Sequence, residues 1–234
     1  MKISVTVPIK FRFVVATRET ADDFWSKTAT GRSLSLFQTP IVELALFPEN
    51  SSGLPAIYNE VIEKSKDDPA ILIFAHDDLH ILDFHWMNAI FNGLTIFGII
   101  GLAGNKRRVP FQPGWFFIDR EFTPDDRVNL SGVVGHGTSF PPENISVFGN
   151  PFQEVKLLDG LFLAASSEIL IKNRLRFDDH FKFHFYDMDF CRQAEIRGIS
   201  MGTIPLSVIH QSGGSFGSED WKQSYQHYLQ KWGQ

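Results

Sequence analysis

The chain has 234 residues, of which 43% are hydrophobic and 21% charged, and its formal net charge is −5. This composition is typical of a soluble globular domain, and the net negative charge excludes a nucleic-acid polymer as main partner, because a phosphate backbone demands a basic surface. The single cysteine cannot form an internal disulfide, and no apolar run is long enough to span a membrane. We therefore expect one cytoplasmic domain covering residues 1–234.

Strand-like and helix-like segments alternate in the first third of the chain. FRFVVATR (Phe11–Arg18) predicts a buried strand, and ETADDFWSKTA, acidic first and basic later, predicts a helix. IVELALF (Ile41–Phe47) predicts a second strand, PAIYNEVIEKSK a helix with Pro55 near its start, and AILIFAHDD a third strand. The alternation predicts an α/β fold with right-handed crossovers and a mixed, mostly parallel sheet flanked by helices.

The pattern is weaker after the third strand. FHWMNAIFNGL predicts a helix, and FGIIGLAG predicts a short strand and a turn, because its glycines do not fit G-x-G-x-x-G. Residues 105–150 are rich in Gly, Pro and aromatics and predict loops with short strands. VKLLDGLFLAASSEIL begins a second ordered block, followed by the helix DMDFCRQAEIRG, the strand SVIH and a C-terminal helix over residues 219–234.

Polar side chains follow the third strand directly, in the stretch ILIFAHDDLHILD (Ile71–Asp83). In open α/β sheets, ligands bind at the carboxyl ends of the parallel strands, where His76, Asp77 and Asp78 are expected to lie. A hard divalent cation often uses one or two carboxylates plus the phosphates of a substrate. Asp78 is therefore a candidate ligand for Mn²⁺ or Mg²⁺. The alternative is an Asx turn in a solvated loop.

Five motifs together resemble the inverting GT-A glycosyltransferases, especially the family 2-like branch with a histidine in its metal motif. His76-Asp77-Asp78 resembles the Asp-x-Asp motif, and GLPAIYNEVIEKS resembles the helix that places Gly53 and Asn59. LLDGLFLAA resembles the acceptor-side segment, FYDMDFCRQAEIRG the following helix, and SVIHQSGGS the strand whose final histidine closes the metal site. The resemblance covers most of residues 11–215 in the same order. It implies a GT-A (Rossmann-like) fold.

The resemblance also implies an activity and roles for individual residues. It implies transfer of a sugar, with inversion, from a nucleoside-diphosphate sugar (UDP-sugar favoured) to an acceptor hydroxyl of a saccharide, a lipid-linked molecule or a protein. Asp187 is implied as the general base, and Asp78 and His210 as metal ligands. The remaining candidates are donor-binding Thr17, Arg18, Asn50, Asn59, His76 and Asp77, and acceptor-binding Asp159, Gly160, Asp189 and Trp115.

Simpler roles remain open for several of these residues. Asp187 or Asp189 would cap a helix whatever the function, and Trp115 would serve as core packing. Whether His76 or Asp77 touches the metal also stays open. The Gly/Ser-rich segment Gln211–Ser218, with Ser212, Gly213, Gly214 and Ser215, predicts either a mobile lid over the diphosphate or a plain linker.

Two departures from the resemblance keep other functions open. Tyr186 stands where these enzymes often have glutamate, and the first strand ends in VVATRET rather than the usual IPtyN. The alternatives are a metal-dependent phosphohydrolase, suggested by the His76-Asp77 pair, and a non-catalytic nucleotide-sugar or carbohydrate-binding module. The chain is short for this class of enzyme, which leaves room for a partner domain or a homodimer.

Overall fold

The structure is a computed structural model that describes residues 9–213 and 216–233. The strands in chain order are β1 (Phe11–Ala16), β2 (Val42–Phe47), β3 (Ile71–Ala75), β4 (Leu79–Ile81), β5 (Ile99–Gly101), β6 (Ala103–Asn105), β7 (Leu130–His136), β8 (Asn144–Gly149), β9 (Leu157–Leu158), β10 (Phe162–Ser166), β11 (Met201–Thr203) and β12 (Val208–His210). The helices are α1 (Ala21–Lys27), α2 (Ala29–Ser35), α3 (Leu54–Lys64), α4 (Trp86–Ile96), α5 (Ser167–Lys172), α6 (Tyr186–Ile196) and α7 (Glu219–Trp232).

A six-stranded sheet in the order β11-β5-β10-β3-β1-β2 forms the central layer. β10 runs antiparallel to both of its neighbours, and the other pairs are parallel. All five residues of β3 are buried, as expected for a strand covered on both faces. The α/β fold class with a mixed, mostly parallel sheet flanked by helices is therefore confirmed.

Alternate residues of the central strands pack into two separate cores. Val14, Leu72 and Phe74 point to one face, where buried residues of α3, α5, α6 and α7 cover them. Phe13 and Ile73 point to the other face, where α1, α2 and α4 contribute the covering side chains. This alternation is the period-two pattern of a strand, and it leaves the strand ends free to carry polar groups.

A second sheet lies beside the first in the order β4-β12-β7-β6-β9, with β8 paired to the edge of β7. β12 runs parallel to β7, so that their final residues His210 and His136 are register partners. Gln211 N–H donates to the backbone carbonyl of Asp78 over 3.0 Å. This hydrogen bond joins the residues that follow β3 to the residue that follows β12.

The structure differs from the sequence-based expectations in several elements. The single helix expected from ETADDFWSKTA divides at Thr28, which ends α1 and whose hydroxyl caps α2 by accepting from Gly31 N–H. FGIIGLAG forms two strands, not one, because the chain passes from the central sheet to the second sheet at Leu102. Residues 105–150 contain the long strands β7 and β8, and β11 was not predicted at all. None of the helices described is long and apolar enough to cross a membrane.

Candidate active-site cavity and metal centre

A cavity of about 640 Å³ opens where the two sheets meet. Its polar wall is built from the residues after β3, the end of β12, the turn between β9 and β10, and the first turn of α6. Its apolar wall comes from the loop before β7, from β8 and from the segment before α6. The residues that carry the argument below are His76, Asp77, Asp78, Trp115, His136, Asp159, Phe183, Asp187 and His210.

Three of these side chains converge on one point. Single ligand atoms of His76, Asp78 and His210 all lie within 4.8 Å of one another. His210 Nε2 is 3.3 Å from Asp78 Oδ2, and His76 Nδ1 is 4.0 Å from Asp78 Oδ1. Asp78 Oδ1 is buried and has no hydrogen-bond partner among the described residues. A buried carboxylate oxygen without a partner is costly unless a cation or proton balances it.

The electrostatics of this corner keep Asp78 ionised. Burial alone would raise its pKa, but the hydrogen bond from His210 and the nearby His76 hold the pKa at about 2. The pKa of His210 is raised because the attraction of Asp78 outweighs the effect of burial. Burial lowers the pKa of His76, which favours a neutral imidazole. One ionised carboxylate and two imidazoles form a donor set that fits a divalent cation.

Asp187 occupies the second position in α6 and is not the N-cap that sequence reasoning left as an alternative. The cap is Phe185, whose backbone is left-handed with φ +64°. The carboxylate of Asp187 accepts hydrogen bonds from Gly160 N–H (3.0 Å) and Met188 N–H (2.8 Å). Burial and the negative charge of Asp159 nevertheless raise its pKa to about 7. A carboxylate with such a pKa is matched to accepting a proton near neutral pH.

Asp77 faces a different part of the cavity from Asp78. Burial raises its pKa, and a hydrogen bond from the Thr17 hydroxyl partly opposes that rise. Thr17 is itself buried, and its backbone carbonyl accepts from Asn50 N–H over 2.8 Å. The three residues therefore form one connected group of which only Asp77 lines the cavity, whereas Arg18 is exposed and does not line it.

Two predicted site residues lie away from the cavity. Asn59 uses its amide to bind the backbone of Phe177 and the carboxylate of Asp179, so it joins α3 to the loop before α6. Asp189 is fully buried, and its carboxylate binds Lys231 (2.6 Å) and Trp232 Nε1 (2.9 Å). It anchors α7 against α6 and does not line the cavity.

The other acceptor-side candidates border the cavity. Asp159 lines it, and its carboxylate accepts from Leu161 N–H over 3.0 Å. Trp115 also lines it, edge-on to Phe148 with ring centroids 4.9 Å apart, and its carbonyl is held by the amides of Asn105 and Gln112. Gly160 has no side chain to offer, but its peptide group lies between α6 and β10 and binds Asp187.

Sequence reasoning missed two side chains beside the candidate metal ligands. The ring of His136 lies 6.1 Å from that of His210, and Phe183 stacks on His76 at 5.8 Å with an interplanar angle of 25°. His136 ends the strand LSGVVGH just as His210 ends its strand, so the same strand-end rule would have found it. Phe183 lies in an irregular segment and had no such signal.

The predicted lid segment is described in part. The Ser212 hydroxyl lies 3.1 Å from His210 Nε2, and Ser212, Gly213 and Phe216 line the cavity. Phe216 packs edge-on against Phe117, with ring centroids 5.5 Å apart. Gly214 and Ser215, the other residues named for the lid, lie outside the described residues.

A sequence-family profile described as "Glycosyltransferase like family" matches residues 42–232. The chain belongs to this glycosyltransferase-like family. The match runs from β2 to the end of α7 and so includes every polar group of the cavity described above. The recognition made from the five sequence motifs is therefore confirmed. No curated protein sequence matches the chain significantly.

Solved structures resemble the fold at low sequence identity. A structure of GalNAc-T7 with UDP, GalNAc and Mn²⁺ matches with a TM-score of 0.52 and 9% identity, over 95% of this chain and 48% of that one. A structure of S. aureus TarS, residues 1–349, matches with a TM-score of 0.46 and 10% identity, over 87% of this chain and 60% of that one. The GalNAc-T7 match shows that this glycosyltransferase-like chain has the GT-A fold, and the chain spans about half the length of that GalNAc-T7 structure.

Proposed function

We propose that this protein transfers a sugar from a nucleoside-diphosphate sugar, with a UDP-sugar favoured, to an acceptor hydroxyl, with inversion at the sugar carbon. The observation that carries the proposal is a single cavity that holds both a cation-binding triad (His76, Asp78 and His210) and a carboxylate with a pKa of about 7 (Asp187). The structural relative solved with UDP and Mn²⁺ supports the same chemistry.

The charge of the cavity supports dependence on a divalent cation. Among the described residues that line it, none is lysine or arginine, whereas four are aspartate. A diphosphate brought into such a site needs a positive charge that the side chains do not supply. When bound at the triad, a cation would neutralise the charge of the diphosphate leaving group. Two imidazole ligands favour Mn²⁺ over Mg²⁺, which prefers oxygen ligands throughout.

Asp187 is assigned the chemical step. Its carboxylate accepts the proton of the acceptor hydroxyl while that oxygen forms a bond to the sugar carbon and the bond from that carbon to the diphosphate breaks. Attack from the face opposite the leaving group inverts the configuration. Asp159 raises the pKa of Asp187 and, with Trp115, borders the space for the acceptor. The aromatic wall and the acidic floor favour an acceptor that presents an apolar sugar face and no negative charge.

The alternatives account for fewer of these observations. The His76-Asp77 pair follows a β-strand in a member of a glycosyltransferase-like family, which argues against a phosphohydrolase. A binding module without turnover has no need of a half-buried carboxylate tuned to about pH 7. Release of free nucleoside diphosphate from a donor sugar separates an enzyme from such a module.

The proposal is tested by thermal shift with UDP and a panel of nucleotide sugars, each measured with Mn²⁺, with Mg²⁺ and with EDTA. A true donor at 100 times its Kd should stabilise the protein by about 2.7 kcal/mol. We expect this stabilisation with Mn²⁺ and its loss with EDTA. Equal shifts in all three conditions, for every nucleotide, would contradict the metal-dependent site.

A further inference from the structure

The hydroxyl of Tyr186 connects the two halves of the site. Tyr186 is buried at the start of α6, and its hydroxyl lies 2.8 Å from the carbonyl oxygen of Gly160 and 3.0 Å from His76 Nε2. The N–H of Gly160 donates to Asp187. Tyr186 therefore contacts the candidate metal ligand His76 directly, and it is linked to the candidate base Asp187 through the peptide group of Gly160.

The direction of these hydrogen bonds follows from the chemistry of the groups. A carbonyl oxygen can only accept, so the one hydroxyl proton of Tyr186 is donated to Gly160. The oxygen of Tyr186 is then an acceptor toward His76, and His76 Nε2 must carry the proton. In that neutral tautomer the lone pair is on Nδ1, the atom that lies 4.0 Å from the unpartnered Asp78 Oδ1. Two acceptor atoms, His76 Nδ1 and Asp78 Oδ1, are then both available as ligands that would hold a cation.

We propose that Tyr186 is a positioning residue for the metal centre. Its hydroxyl holds His76 in the Nε2–H tautomer, which leaves Nδ1 available to bind a cation. The inference rests on the proposed metal-dependent function. Metal-binding histidines generally donate their second ring N–H to an outer partner, and loss of that partner typically costs about 10–100-fold in metal affinity. A phenol in this position differs from the usual carboxylate or carbonyl acceptor because it must itself be oriented, and the carbonyl of Gly160 orients it.

The packing around this chain of bonds leaves it little freedom. A Cβ at position 160 would lie 2.4 Å from the Tyr186 oxygen and 3.0 Å from Asp187 Cβ, so glycine is needed for the close approach. The backbone of His76 is held by its N–H bond to Leu161 (3.1 Å) and by the Thr30 hydroxyl, 2.7 Å from its carbonyl. With the backbone fixed, the ring of His76 is oriented by Tyr186 on its edge and by Phe183 on its face.

The test uses Tyr186→Phe, which removes only the hydroxyl, with Tyr225→Phe as matched control. Tyr225 is buried in α7, and its hydroxyl also donates to a backbone carbonyl, that of Phe111 over 2.5 Å, but it is bonded to neither His76 nor Gly160. In the metal-free protein, imidazole ¹⁵N NMR should show His76 protonated at Nε2 in wild type and in Tyr225→Phe, and a mixture of tautomers in Tyr186→Phe. An unchanged His76 signature in Tyr186→Phe would overturn the proposal.

Metal affinity gives the second readout. Titration of Mn²⁺ followed by electron paramagnetic resonance should show a Kd weakened about 10–100-fold in Tyr186→Phe and unchanged in Tyr225→Phe. In a His76→Ala background, Tyr186→Phe should cause no further loss, because the residue acts through His76. An equal loss in both backgrounds would mean a general structural effect and overturn the proposal. If the wild type did not bind Mn²⁺, the proposed metal site itself would be refuted. The NMR readout is independent of this outcome because it is made on metal-free protein.

Discussion

Asp78 and Asp187 are two aspartates in one cavity with opposite electrostatics. Both are taken out of water, which by itself raises the pKa of a carboxylate. Asp78 lies between two histidines, and its pKa stays at about 2. Asp187 has only backbone N–H groups and the like charge of Asp159 beside it, and its pKa rises to about 7.

The difference shows how one residue type performs two tasks at the same pH. A carboxylate that is ionised throughout the physiological range suits a cation, and one that titrates near pH 7 suits proton transfer. The contrast depends on partners contributed by distant segments: His210 from the second sheet for Asp78, and the turn at Asp159 and Gly160 for Asp187. The contrast can be tested by changing either aspartate, or the charge beside it.

The largest effect is expected for Asp187→Asn, which removes the proton acceptor and keeps the size of the side chain. Transfer should fall by roughly 10²–10⁴-fold, the usual worth of general-base catalysis, while donor binding is retained. The measurement is release of nucleoside diphosphate from the donor sugar, beside the donor Kd by calorimetry. Asp189→Asn on the same helix is the control: it should lower stability through its lost contacts with α7 but leave the turnover of folded protein near normal. Near-normal turnover in Asp187→Asn would show that the base lies elsewhere, with Asp159 the next candidate.

Asp78→Asn should act on binding rather than on chemistry. The variant lacks the charge that pairs with a cation, so the Mn²⁺-dependent part of the affinity for UDP should fall by at least about 10–100-fold and KM should rise. Calorimetry of UDP with and without Mn²⁺ measures this difference directly. Asp83→Asn, a few residues along the same stretch and outside the cavity, is the matched control and should bind as wild type does. The contrast fails if Asp78→Asn keeps the Mn²⁺ dependence.

Sequence reasoning reached the parts of the site that follow strand ends. Asp78 was predicted from its place after a buried strand, whereas His210 was predicted only through the resemblance of SVIHQSGGS, and the structure brings the two together. The strand-end rule would also have pointed to His136, had the strand in LSGVVGH been recognised within a region rich in glycine. Helix periodicity could have separated Asp187 from Asp189, which the resemblance placed together in the site, because residues two apart lie on different faces of a helix.

Other features depend on contacts that no local pattern encodes. Asn59 matched a motif position, yet its amide binds the backbone of Phe177 on a remote loop. The three-residue strands β5, β6 and β11 are too short to show a period, so the passage of the chain between two sheets at Leu102 could not be seen. The pKa of Asp187 likewise depends on Asp159, which is close to Asp187 in the folded structure but not in the sequence.

A smaller effect is expected for Asp159→Asn, which leaves Asp187 in place and removes the neighbouring negative charge. Asp159 raises the pKa of Asp187, so the variant should lower that pKa from about 7 toward the ordinary value of an aspartate. Carbon-13 NMR of the side-chain carboxyl groups over pH 4–9 measures the midpoint without any substrate. The titration of Asp178, a carboxylate paired with Lys231, should not move. An unchanged Asp187 midpoint would mean that burial alone sets its pKa.

The last effect is on stability, and it separates the raised pKa of Asp187 from any catalytic role. In the unfolded chain an aspartate titrates near pH 3.9, whereas folded Asp187 titrates at about 7. Between these values the folded protein keeps a proton that the unfolded chain has released, so this group makes the free energy of unfolding fall as pH rises from about 4 to about 7. Asparagine does not titrate, so the stability of Asp187→Asn relative to wild type should increase over that window and stay level above it. A pKa raised by about three units, at about 1.4 kcal/mol per unit, makes the full difference roughly 3–4 kcal/mol. Urea unfolding of both proteins at pH 4.5, 6 and 8 (~1.5–2 units apart) measures the difference.

The exposed Asp22→Asn serves as control, and its stability should change with pH in parallel with that of wild type. Parallel curves for Asp187→Asn as well would show that Asp187 is ionised in the folded protein at every pH tested, which would remove the contrast with Asp78.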